Sequence, residues 1–172
     1  MRMTIRMRDY HWNDDLGSVM EFLGKLCLQT KSIRNLIPSR IENRHYGPCG
    51  PEYKDEEDAF VKIWEEIDAT KPPKIIAISV FSKSPDSYLS IHPNYKHHLR
   101  EIMLEMEKHR ATMPPHDDKG IRIAFWIEED DHERISILEE LGYEDLGAYE
   151  HNLRSRRDEA DGKGQVQSAV SV

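Results

Sequence analysis

Apolar and polar positions along the 172-residue chain change period several times, and each change marks an element. Residues 4–8 alternate, with Ile5 and Met7 on one side, which predicts a strand. Over 14–29, Leu16, Val19, Met20, Leu23, Leu26 and Cys27 recur at helical spacing, and Asn13 or Asp14 is placed to cap that helix. Cys27 on this stripe reads as a small buried hydrophobe. The period loosens over 30–53. A short helix is expected at 32–36, Pro38 is expected to interrupt it, 37–46 shows no clear period, and GPCGP at 47–51 reads as a stiff loop. Residues 56–67 predict a helix with Phe60, Ile63, Trp64 and Ile67 inward, a strand over 60–64 being the competing reading. KIIAISVF at 74–81 is nearly all apolar and β-branched, the pattern of a strand buried on both faces.

The second half repeats the alternation of strand and helix. A hairpin loop at 82–87, carrying Pro85 and Asp86, leads back into a strand at 88–91. Pro93 then sets an abrupt turn into an amphipathic helix that closes near Arg110, its stripe made by Leu99, Ile102, Met103 and Met106. After a loop at 112–120 come a strand at 121–127 and a helix at 131–141 with Ile135, Leu138 and Leu141 inward. Gly142 stands at its stop. A last strand is expected at 147–153. The order predicts a single α/β domain over 1–153, with a mixed, mostly antiparallel sheet and helices on both faces. Residues 154–172 are polar and without period, which predicts a disordered tail.

Composition narrows the function classes. A net charge of −8 argues against a nucleic-acid binder, which needs a basic face. No apolar run approaches the roughly 18–20 residues of a membrane span, and the N-terminus lacks a signal-peptide core, so a cytoplasmic protein without membrane partners is expected. His92, His97, His98 and His109 read as surface histidines, with no cysteine or carboxylate at a recognised ligand spacing, so no metal site is assigned. Cys49, with His45 near in sequence, lacks a third group to orient a base and reads as a loop cysteine. Trp64 and Trp126 read as core. The acids at 128–131 complement a helix N-terminus or face a cationic amine. Tyr88, His92 and Tyr95 either line an acyl groove or pack the sheet and brace the turn.

The feature with most chemistry is the strand-turn-helix at 88–110, because such a turn aims backbone N–H groups at an anion above it. Its core, Leu89-Ser90-Ile91-His92-Pro93-Asn94-Tyr95-Lys96, resembles the V-H-P-x-Y-R entry to the pyrophosphate loop of the GCN5-related N-acetyltransferase (GNAT) superfamily. DHERISILEELGY at 131–143 is similar to the family helix that ends in L-G-F/Y. The stretch 91–103 also resembles the non-glycine half of tandem GNAT proteins. The resemblance implies a GNAT-like fold and transfer of an acyl group from acetyl-CoA to an amine. It would place Ser90 and Ile91 along the pantetheine, and Lys96, His97, His98, Leu99 and Arg100 at the pyrophosphate.

The departures from the family pattern are specific. The usual Arg/Gln-x-x-Gly-x-Gly/Ala loop is replaced by Lys96-His97-His98-Leu99-Arg100 without a glycine, which implies weakened or lost cofactor binding. Leu138 stands where many members carry a tyrosine acid, and 74–81 and 88–91 contain no carboxylate, so no catalytic residue is assigned. The different-class alternative is a non-catalytic GNAT-like module that binds a partner domain such as a second GNAT-like lobe, a second copy of itself, or a small ligand.

Overall fold

The strands assemble into one seven-stranded sheet in the order β1-β2-β3-β4-β5-β7-β6. The computed structural model describes residues 4–30, 38–47, 60–82, 84–115, 122–151 and 166–171. β1 (Thr4–Asp9), β2 (Val61–Ile67), β3 (Lys74–Phe81) and β4 (Asp86–Ile91) form an antiparallel meander. β4 and β5 (Ala124–Glu128) run parallel. β7 (Val166–Ser171) lies antiparallel between β5 and β6 (Glu144–His151). This is the mixed, mostly antiparallel sheet that the pattern predicts.

Period-two alternation divides the core into two layers. On β3, Ile78 and Val80 point to the face covered by α1 (Leu16–Thr30) and α2 (Pro38–Tyr46), where they meet Val19, Leu23 and Ile41. Ala77 and Phe81 point to the other face, covered by α3 (Leu99–Thr112) and α4 (His132–Glu140). There Leu99, Ile102, Met103, Met106 and Leu138 pack with Leu89, Ile91, Phe125 and Ile127. Fully burying a side chain such as Phe81 or Phe125 stabilises the fold by roughly 1.5–3 kcal/mol.

Three segments differ from the sequence reading. Residues 61–67 are a strand, not the end of a helix. Val61 and Ile63 face α1 while Phe60 and Trp64 face the other layer, and a register shift between Trp64 and Glu65 breaks the alternation, which mimics helical spacing. Residues 38–46, within a stretch that shows no clear period, form α2, which Pro38 opens because its missing N–H costs nothing in the first turn. Part of the tail expected to be disordered, residues 166–171, forms β7, whose backbone supplies partners to the edges of both β5 and β6. Cys27 is half-buried rather than buried. The helix expected at 32–36, Cys49 and most of the loop at 47–51 lie outside the described residues, as does much of the loop at 112–120.

Candidate functional site

The site is built by β4, whose two edges have different fates. On the β3 edge the ladder runs from Phe81↔Ser87 to Ala77↔Ile91. It is extended by Ser82 N–H to Asp86 O (3.0 Å) and His92 N–H to Ile76 O (2.8 Å). Alternation therefore turns the backbone groups of Tyr88 and Ser90 toward β3 and those of Ser87, Leu89 and Ile91 toward β5. On that second edge only two pairs form, Asp86↔Ala124 and Ser87↔Phe125. Ala124 N–H donates to Pro85 O at 2.8 Å, and Trp126 Nε1 donates to Asp86 Oδ1 at 2.9 Å, closing the apex. Beyond Ser87 the two parallel strands have no further paired residues, and a V opens whose β4 wall is the backbone edge of Leu89 and Ile91.

The turn above the V is not an open loop. Residues Pro93–His98 form a 3-10 helix that runs directly into α3. His92 is its N-cap, and His92 Nδ1 accepts from Asn94 N–H at 3.2 Å. That contact places the ring proton on Nε2, and burial followed by the charge of Lys74 holds the His92 pKa below its ordinary value. Tyr95 N–H donates to His92 O at 2.9 Å, and Leu99 N–H donates to Lys96 O. A 3-10 turn uses each N–H on the carbonyl three residues back. The N–H groups that a glycine-rich loop would direct at a diphosphate are therefore spent inside the turn, and any anion there must be met by side chains.

The candidate side chains are split by this geometry. His97 is exposed, His98 is half-buried beside it with ring centroids 4.1 Å apart, and Leu99 is sunk in the core. Lys96 and Arg100 reach across the mouth of the V to α4. Lys96 Nζ stands 3.4 Å from Glu133 Oε2, and Arg100 Nη1 donates to Glu140 Oε2 at 2.7 Å. Both pairs are solvated, so each contributes well under about 1 kcal/mol and breaks readily. Ser90, whose backbone belongs to the β3 ladder, has a buried side chain; Ile91 presents its backbone to the V.

Sequence reasoning missed one residue of the V. Arg134, in the first turn of α4, is 3% exposed and donates from Nη1 to Leu89 O at 3.1 Å. Its Nε lies 3.5 Å from Asp131 Oδ2, and Asp131 caps α4 through Arg134 N–H. Glu128 is a buried carboxylate at the last position of β5. Arg134 was not legible, because a charged residue near a helix start reads as solvated until the packing is known; Glu128 belongs to the acidic run at 128–131 that the sequence does mark. Leu138 is fully buried and carries no proton to give. Tyr95 braces the turn. Its hydroxyl donates to Glu66, Lys74 Nζ stands 5.2 Å above its ring, and burial with the Glu66 charge pushes its pKa up to about 12. Among the described residues no group of three His, Cys, Asp or Glu side chains lies together as a metal would require.

No family model matches the sequence, and no curated protein does. Solved structures do match over nearly the whole chain. A Salmonella typhimurium protein with its cofactor acetyl-CoA is 15% identical, with TM-score 0.62, over 100% of this chain and 94% of that one. An acetyltransferase of the GNAT family from Streptococcus pneumoniae is 12% identical, with TM-score 0.60, over 98% of each chain. Spermidine N-acetyltransferase from Vibrio cholerae, in complex with CoA and spermine, is 11% identical, with TM-score 0.59, over 98% of this chain and 94% of that one. At these identities the likeness establishes the fold, that of the GNAT acyltransferases. No described helix is long and apolar enough to cross a membrane.

Proposed function

We propose that this chain is an acyl-CoA-dependent N-acyltransferase and that the V between β4 and β5 is its thioester site. The observation that carries the reading is the early end of the β4–β5 ladder, which leaves the Leu89 and Ile91 backbone facing a slot in a sheet otherwise paired through its centre. An extended arm with amide groups fits such an edge as an added strand does. The diphosphate would be met by Lys96 and Arg100 with His97 and His98 beside them, as side-chain charges rather than as loop N–H groups. When bound, the cofactor supplies an activated acyl thioester for attack by an amine. The chain's share is then chiefly positioning, which by itself accounts for a large part of such accelerations. Glu128, a buried carboxylate at the end of β5, is the candidate proton acceptor. A net charge of −8 favours a cationic acceptor by long-range attraction.

Thermal unfolding in the presence of acetyl-CoA tests this. A ligand of the native state raises Tm with concentration, and the joint variant Lys96→Ala, Arg100→Ala should weaken that response about tenfold. A Tm that stays flat at millimolar acetyl-CoA removes the enzyme reading. One observation favours a second reading, a non-catalytic module partnered by a second lobe or a second copy: the Arg134 guanidinium already engages the β4 edge.

A further inference from the structure

We infer that Arg134 is a built-in gate on the cofactor slot: it holds the first open rung of β4, and the acyl-CoA arm enters only when it withdraws. The carbonyls on the β5-facing edge of β4 follow one another at every second residue. Pro85 O takes Ala124 N–H, the Ser87 position is paired to β5, and the next carbonyl, Leu89 O, takes Arg134 Nη1. The guanidinium thus occupies the place where an incoming arm would meet the strand. It is held from behind by Asp131, itself buried and fixed as the α4 cap. On the same helix Glu133 and Glu140 pair with Lys96 and Arg100, so the contacts that close the V and those that mask its cations all come from α4. A charge-assisted hydrogen bond to a buried carbonyl is among the stronger single contacts, and its rupture is charged against every binding event.

This inference rests on the V being the acyl-CoA site, and the test separates the two. Titration calorimetry compares the full chain with Arg134→Ala, using acetyl-CoA and, separately, phosphoadenosine diphosphate, the nucleotide half that lacks the arm. Arg134→Ala should bind acetyl-CoA about tenfold or more tightly, bind the nucleotide half as the parent does, and return to parental affinity in Arg134→Lys. Equal acetyl-CoA affinity in parent and variant overturns the gate and leaves the site reading standing. So does a gain shared by the nucleotide half, or weaker binding in the variant, which would make Arg134 a cofactor ligand. Binding by neither protein overturns both. If Arg134→Ala fails to fold by circular dichroism, Arg134→Gln, two bonds shorter, is measured with the same outcomes.

Discussion

The two edges of β4 differ in what they have given up. Toward β3 the strand is paired along its length, and its side chains sit between α1 and α3 with neighbours on both faces. Toward β5 it is paired for two residues and then parts. Where the ladder ends, the neighbouring groups are polar and come from helices: Arg134, Glu133 and Glu140 on one side, Lys96 and Arg100 on the other. The comparison teaches that an open binding slot in a sheet is a place where backbone pairing has been withheld, and that something must satisfy what was withheld. A ligand is one solution. In this structure a buried arginine is another.

If the closed edge carries stability and the open edge carries function, substitutions should separate them. The largest effect is expected in the core under the closed edge: Phe81→Ala should cost about 3–5 kcal/mol in urea unfolding, whereas Ile91→Ala at the V should cost nearer 2. Equal costs would break the distinction. Next comes the ion network that ties β1, β2 and α1 together, far from the V. Arg8 donates to both oxygens of Asp15 (2.7 and 2.8 Å) and to Glu65 (2.8 Å), which Arg6 also meets. Arg8→Ala would leave two buried carboxylates short of a partner and should cost about 2–3 kcal/mol.

That network also predicts a pH dependence. Burial pushes the Asp15 and Glu65 carboxyls up, but the guanidinium contacts, with His11 N–H for Asp15, more than offset it and leave both below their ordinary values. Carboxylates depressed on folding stabilise the protein above their unfolded pKa, near 4, and that stability is lost as pH falls further. Urea midpoints measured from neutrality downward should therefore drop below about pH 4, and the drop should be shallower in Arg8→Ala. The smallest expected change in stability sharpens the comparison from the other side. Glu133→Gln with Glu140→Gln should move it by less than about 0.5 kcal/mol per pair, while raising acetyl-CoA affinity a few-fold by freeing Lys96 and Arg100. A large loss of stability would mean that the mouth of the V is structural.

Most of the architecture could be read along the chain because strong patterns had no rival. The run at 74–81, the stripe from Leu99 to Met106 and the stop at Gly142, whose φ is +89°, each admit one local answer. Two readings gave way because local pattern and long-range pairing competed. Residues 61–67 carry helix-like spacing but are claimed from both sides by β1 and β3. Residues 166–171 have no pattern of their own and are ordered only by the two edges between which they lie. At the site, the missing glycines and the cations after Pro93 were legible. That the turn tightens into a helix and spends its N–H groups was not.

Sequence alone determined where the chain would be buried, how often it would turn, and that the turn after Pro93 carries bulky side chains and no glycine. These follow from side-chain period and from sterics within a few residues. Only the tertiary structure decided that β4 and β5 part after Ser87 and that Arg134, 45 residues from Leu89, reaches back to fill the gap. Hydrogen bonds between distant segments leave no periodic trace in sequence, because each partner is chosen by the shape the whole chain has already taken.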